Sequence, residues 1–383
     1  MLNNKKILSP QELLNKIGVV VGTRPGIIKM SPIIRALEQR RQDYFIVHTG
    51  QHYSYNLDRK FFEDLELPEP CFRNDVVSKA TLHGEQTALM IAGLESAFIS
   101  SRPGIIIVGG DANTNLAGAL AARKLGIRVA HVEAGLRSND WRMPEEHNRV
   151  MIDHISEYLF APTQEARENL VKDNVKGKIF VVGNTIVDAV YQNMEIARSK
   201  SKILQTLGLI PQTYFVLTLH REENVDSAEI LKSILEGIEQ IAREFDYKTI
   251  FPIHPRTKKR ISDFKLLHIL ESNPKVQVIE PIGYLDFLLL LSHARLILTD
   301  SGGIQEECCI LKVPCVTLRD NTERPETLRV GANSLGGTSP QTMLRSIHEM
   351  LAKDRTWENP FGDGTAGVRI VEVLCDVLKN IRK

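Results

Sequence analysis

Asp111, Glu133 and His220 each stand just past a run of apolar residues, and Glu145 stands at a helix start. Such places are where a parallel α/β sheet presents its chemistry. Cations accompany them: Arg24, in Gly22-Thr-Arg-Pro-Gly26, offers a planar fork, and Lys29 a point charge one turn later. Both suit a diphosphate. Three carboxylates and an imidazole among cations can serve as general acid and base, provided their surroundings push their pKa values apart. Glu145 and Arg149 share a helical face at i,i+4. Further polar residues follow strands at Gln51-His52, Arg137 and His254.

A second constellation lies at Asp300-Ser-Gly-Gly-Ile-Gln-Glu-Glu307. Leu296–Leu298 reads as a short buried strand, and Gly302-Gly303 turns it into a helix beginning near Ile304. The first amides of a helix lack partners, its dipole favours negative charge there, and glycine lets a phosphate approach the backbone. Ser301, Gly302 and Gly303 are thus candidate phosphate donors. Glu306 and Glu307, one turn on, are placed to accept bonds from sugar hydroxyls.

Other chemistries find less support. The glycine turn after Val21 is neither a P-loop nor the dinucleotide fingerprint. His48 and His52 could share a helical face, but nothing completes a metal-ligand pattern around them, so no metal is expected. Five cysteines lack the spacing of a zinc site. A net charge of +1 gives no reason to expect nucleic acid or an anionic membrane, and no apolar run spans a bilayer. Without a signal-like N-terminus, a cytoplasmic chain is expected.

The elements that must position these groups alternate. Ser9-Pro-Gln-Glu12 reads as a capping box opening a short helix to about Lys16. Strands then fall at 17–21, 45–47, 105–108, 128–132, 159–161 and 179–182, with helices at 28–40, 87–98 and 144–158 among them. A lysine-rich helical segment to about Leu207 links to a second series, with strands at 215–219, 249–253, 276–279, 296–298 and 316–318. The fold class is α/β: two Rossmann-like, doubly wound domains facing a cleft. The domains are expected at 1–189, completed by a C-terminal helix 365–383, and at 190–364.

Five ordered motifs carry a resemblance. Gly22-Thr-Arg-Pro-Gly-Ile-Ile-Lys-Met30, His131-Val-Glu-Ala-Gly-Leu-Arg137, Pro144-Glu-Glu-His-Asn-Arg149, Asp300 to Glu307 and Thr322-Glu-Arg-Pro-Glu326 resemble the non-hydrolysing UDP-N-acetylglucosamine 2-epimerases. The resemblance runs from about Val19 to the C-terminal helix. It implies a fold of the GT-B glycosyltransferase type, a cytoplasmic homodimer, no cofactor, and a UDP-sugar as the binding partner. It also implies interconversion of UDP-N-acetylglucosamine and UDP-N-acetylmannosamine through loss and re-addition of UDP at a 2-acetamidoglucal.

By the same resemblance Asp111, Glu133, Glu145 and His220 are the catalytic candidates, and Arg24 and Lys29 would stabilise the departing diphosphate. Glu307 would hold the ribose, Arg324 a uridine or phosphate oxygen, and Phe287 would lie near uracil. Gln51 and His52, with Arg149 and His254, mark a possible second site or the cleft. The chain departs from the family pattern at Gly26-Ile27, Tyr53 and Ala112. His48 to His52 with His83 to Thr87 is also similar to the branch acting on UDP-2,3-diacetamido-2,3-dideoxy-glucuronate. A UDP-sugar-dependent glycosyltransferase of the same fold is the remaining alternative.

Overall fold

The computed structural model describes residues 8–50, 55–74, 77, 80 and 82–381. The chain forms two compact units, Met1–Tyr191 with Phe361–Lys383, and Gln192–Pro360.

In the first unit the strands are β1 (Leu14–Val21), β2 (Tyr44–His48), β3 (Phe72–Arg73), β4 (Pro103–Gly109), β5 (Arg128–Val132), β6 (Tyr158–Ala161) and β7 (Lys178–Val181). They alternate with helices α1 (Arg24–Gln39), α2 (Tyr55–Asp64), α3 (His83–Ser101), α4 (Asn113–Lys124), α5 (Pro144–Ile155), α6 (Gln164–Lys172) and α7 (Thr185–Lys200). All seven strands pair in parallel in the order β3-β2-β1-β4-β5-β6-β7. Every residue of β4 is buried, as a strand covered on both faces requires. The order reverses between β1 and β4, so the loops that follow them leave in opposite directions and open a crevice at the carboxyl ends.

The second unit repeats this plan. Its strands are β8 (Tyr214–Thr218), β9 (Lys248–Pro252), β10 (Val276–Ile279), β11 (Leu296–Thr299), β12 (Cys315–Thr317) and β13 (Asn333–Leu335), ordered β10-β9-β8-β11-β12-β13. The helices are α8 (Ile203–Thr206), α9 (Glu222–Val225), α10 (Ala228–Glu244), α11 (Pro255–Asp263), α12 (Leu267–Glu271), α13 (Tyr284–Ser292), α14 (Gly302–Ile310), α15 (Pro325–Arg329) and α16 (Pro340–Leu351). The reversal here falls between β8 and β11. Helix α10 shows how sequence sets the packing. Leu231, Ile234, Leu235, Ile238 and Ile241 recur at helical spacing and are fully buried against the sheet, while Glu229, Lys232, Glu236, Arg243 and Glu244 are exposed on the other face.

Local signals were overridden at two places. The Glu12 carboxylate does accept from the Ser9 amide at 2.9 Å, but the helix ends there as a single 3-10 turn. Leu14 to Lys16, expected as helix, are the start of β1, because Leu14 pairs with Pro103 of β4. The helix expected to reach Tyr158 stops at Ile155, since Ser156 is extended and Tyr158 pairs with Ala130. Among the described residues no helix is long and apolar enough to cross a membrane.

The last helix, α17 (Ala366–Ile381), returns to the first unit and packs on α1. Asp188 accepts the Gly367 amide at 2.8 Å near its start. Ile370, Val371, Leu374 and Leu378 are buried. Each such side chain is worth about 1.5–3 kcal/mol, which together approaches the whole stability of a domain. Truncation after Pro360 should therefore abolish the cooperative melting of the first unit in calorimetry. A truncated chain with an unchanged thermogram would show that α17 is dispensable.

Candidate active site

In the first unit, chemistry gathers at the ends of β1, β4 and β5. Thr23 caps α1, its hydroxyl accepting from the Gly26 amide at 3.2 Å, and Pro25 presets the first turn. Arg24 is exposed, its guanidinium 6.0 Å from the centre of the Phe61 ring. One turn on, Lys29 Nζ lies 2.8 Å from Glu133 Oε2, so the lysine assigned to diphosphate also neutralises a carboxylate. Glu133 follows β5 in a left-handed conformation at φ 66°. It is buried, and its Oε1 has no hydrogen-bond partner among the described residues. A buried carboxylate oxygen left in this state is costly, and such groups cluster where a ligand binds.

Asp111 follows β4 after Gly110, whose φ of 88° only glycine adopts cheaply. Its carboxylate is ion-paired with Arg149, and its backbone carbonyl accepts from Asn148 at 2.8 Å. Arg149 also meets Glu146 at 3.0 Å. On the helical face that Arg149 shares with Glu145, the carboxylate it pairs with is that of Glu146 at i,i+3. Glu146 is buried and accepts from the Ser138 amide and hydroxyl, both at 2.9 Å. Glu145 is exposed in the first turn of α5. His48 ends β2 and accepts the Gly50 amide through Nδ1 at 3.2 Å, so it occupies no helical face. Gln51 and His52 lie outside the described residues.

In the second unit the organising group is Asp300, fully buried at the end of β11. One carboxylate oxygen accepts the amides of His220 and Arg221 at 2.9 and 2.8 Å, and the other meets His220 Nδ1 at 2.8 Å. Burial pushes this carboxyl upward, but the His220 ring and the two amides outweigh it and hold it below the usual aspartate range. The His220 ring is thereby fixed, with His254 edge-on to it at 5.6 Å. Burial, then the His220 charge, lower the pKa of His254.

Beside this pair α14 begins. Gln305 is the first of its amides to find a helix carbonyl, that of Ser301 at 3.2 Å. A Cβ on Gly303 would meet nothing within 4 Å, so the start of the helix is open. The carboxylate of Glu323 lies close to Gly302 and bonds Arg319 at 2.8 Å, with Arg221 at 3.6 Å. Burial opposes its ionisation, but Arg319 and Arg221 hold its pKa down to about 2. Arg324 is ion-paired with buried Glu306 at 2.7 Å. Glu307 is buried deeper in the helix, and burial pushes its carboxyl up to about 7 against a hydrogen bond from Tyr284. An apolar slot of about 210 Å³ opens next to His220, lined by Pro252, Pro281, Ile282, Phe287 and Ile304.

Of the predicted residues, Lys29 meets Glu133 and Arg149 meets Asp111 in the first unit, while His220, His254 and Phe287 line one slot in the second; the predicted catalytic set is divided, with Asp111, Glu133 and Glu145 in the first unit and His220 in the second. Sequence alone gives no role to Asp300, Arg221, Glu323 or Arg319, although Asp300 and Glu323 stand inside motifs that carry the resemblance. It gives none to Glu146, whose burial a single sequence does not display.

Fold and site define an α/β protein with two switch-point crevices, one rich in carboxylates and cations, the other built on an open helix start. A family model described as UDP-N-acetylglucosamine 2-epimerase matches residues 35–375. The UDP-N-acetylglucosamine 2-epimerase of Methanocaldococcus jannaschii is 55% identical over 362 residues, covering 94% of this chain and 98% of that protein. A UDP-2,3-diacetamido-2,3-dideoxy-D-glucuronate 2-epimerase of Pseudomonas aeruginosa is 39% identical over 365 residues, covering 94% of this chain and 99% of the relative. A crystal structure of the M. jannaschii UDP-GlcNAc 2-epimerase in complex with UDP-GlcNAc and UDP superposes with a TM-score of 0.84 at 55% identity, over 94% of this chain and 99% of that one. The chain belongs to the UDP-N-acetylglucosamine 2-epimerase family.

Two carboxyls of the second unit should act on stability with opposite sign. Glu307 has a raised pKa in the folded state, so its contribution is complete below the ordinary glutamate value and is lost as pH rises through about 7. A shift of this size corresponds to roughly 3 kcal/mol. Chemical denaturation of Glu307→Gln should therefore show a flatter stability profile between pH 4.5 and 7 than the parent. Asp300 has a lowered pKa, so its contribution is present above the ordinary aspartate value and is lost on acidification. Asp300→Asn should cost about 1–3 kcal/mol at neutral pH, because a buried acceptor of two backbone amides and a ring nitrogen is weakened. A loss below 1 kcal/mol would contradict the role given to that carboxylate.

Proposed function

We propose that this chain is a non-hydrolysing UDP-N-acetylglucosamine 2-epimerase, an isomerase that interconverts UDP-N-acetylglucosamine and UDP-N-acetylmannosamine. Its relatives at 55 and 51% identity carry that name, whereas the diacetamido-glucuronate enzyme stands at 39%. Uracil fits the apolar slot with Phe287, the ribose faces Glu307, and the diphosphate takes the amides of Gly302 and Gly303 with Ser301 and Arg221. Arg24 and Arg324 add positive charge to the leaving group. A nucleotide bound this way uses the helix dipole as well as fixed cations.

The reaction breaks two bonds and remakes them. A carboxylate takes the C2 proton, the C–H electron pair forms the C1=C2 bond, and the C1–O bond breaks with its electrons leaving on UDP. Protonation on the other face of C2 and attack of the UDP oxygen on C1 give the epimer, with no cofactor consumed. Asp111 and Glu133 take and return the proton, Lys29 steadies Glu133, and His220, held by Asp300, stabilises the charge that develops on the diphosphate. Glu145, exposed in the first turn of α5, remains a catalytic candidate. Gln51, His52, Arg149 and His254 are assigned to the surroundings of the sugar or to a second nucleotide. A cytoplasmic homodimer completes the proposal.

The observation that carries this reading is Glu133: buried, left-handed, one oxygen on Lys29 and the other without a partner among the described residues. A transferase of the same fold has no need of a proton acceptor there. In deuterium oxide, proton NMR should show C2 of UDP-N-acetylglucosamine exchanging as the two epimers equilibrate. Glu133→Gln should lower kcat by about 10²–10⁴-fold with UDP affinity nearly unchanged. Retention of the C2 proton during turnover would sink the mechanism. Light scattering reads the subunit number directly.

A further inference from the structure

His131 touches no part of the substrate in the scheme above, yet its ring is fully buried and bonded on both sides. Nδ1 lies 2.7 Å from Asp153 Oδ1, and Nε2 lies 3.1 Å from the Gly110 carbonyl oxygen. Asp153 is fully buried too. Its second oxygen accepts the Gly135 amide at 3.2 Å and Arg137 at 2.7 Å, and Arg137 continues to Asp173 at 2.8 Å. The Gly110 carbonyl can only accept, so Nε2 carries a proton. An isolated core position does not need such a chain of charges, because well-packed apolar residues replace buried ion pairs at little or no loss of stability.

The chain ends on the backbone between the two proton-transfer candidates. The Gly110 amide donates to the Val132 carbonyl at 3.0 Å while its own carbonyl accepts from His131. Gly110 is therefore tied to β5 at both ends. The residue after Gly110 is Asp111, and the residue after Val132 is Glu133. Next door, Asn115 holds the Gly109 amide at 3.1 Å and its carbonyl at 2.7 Å, so the turn has little freedom left. We propose that His131 is a positioning residue for the epimerisation: by clamping the Gly110 carbonyl it sets the separation of Asp111 and Glu133. The inference rests on the function proposed above, and a misplacement of about 1 Å in such a pair can cost 10²-fold in rate.

Two substitutions separate the clamp from mere packing. In His131→Gln the amide nitrogen reaches the position of Nε2 and can still donate to Gly110. In His131→Asn it reaches only the position of Nδ1, and the carbonyl is released. His131→Asn should lose about 10²-fold in kcat with KM within threefold, and solvent exchange at C2 should slow in parallel. His131→Gln should recover most of that loss, and UDP affinity should be unchanged in both. Equal kcat in the two variants, or a loss confined to KM, overturns the inference. Should neither variant fold, nitrogen-15 NMR of the parent decides: a proton on Nε2 supports the clamp, and a bare Nε2 overturns it. A parent that folds but does not epimerise sinks the proposed function instead, which keeps the two failures apart.

Discussion

Parallel pairing of β1 with β4, and of β8 with β11, is the constraint on which the rest of this molecule depends. Each pair joins strands that are not neighbours in the chain, and each marks the point where the order of winding reverses. Loops leaving such a pair diverge, so polar groups can stand in a crevice without being packed away. Arg24 and Asp111 flank the first reversal, and His220 and Ser301 flank the second. The same topology used twice gives two different chemistries, because the residues after the strands differ.

Charge is arranged differently in the two crevices. In the second unit Asp300 is spent on structure: it gathers the His220 ring and two amides. Glu323 stays ionised beside α14 because two arginines hold it, so the cations nearest the open helix start are already oriented. Preorganised charge of this kind costs no reorganisation when a charged ligand arrives. In the first unit Lys29 compensates only one oxygen of Glu133. A buried carboxylate that is half satisfied is poor structure, and such groups call for an explanation in function rather than in packing.

Much of this was legible from residue order alone. Apolar runs such as Ile105–Val108 and Leu296–Leu298 identified buried parallel strands, and the polar residues after them named the candidate site. The spacing of Gly302 and Gly303 after a strand announced a helix start, and α14 begins at Gly302. Local rules failed where a distant partner decided. Ser9 to Glu12 form a sound helix start, yet pairing with Pro103 pulls Leu14 into a strand. The two-residue β3 and three-residue β13 are too short to carry a periodic signal, and only their neighbours in the sheet define them.

The sequence by itself determined the alternation of elements, the two-fold repetition of the plan and the residue types placed at each strand end. Those properties are local, and depend on hydrophobic period and on glycine or proline at fixed offsets. Tertiary structure decided which of those residues speak to one another. Arg149 meets Glu146 and Asp111 rather than Glu145, Lys29 meets Glu133 across 104 residues of chain, and Asp300 meets His220 across 80. Sheet order and crossover create these contacts, and a side chain's burial and partners follow from what the fold lays against it.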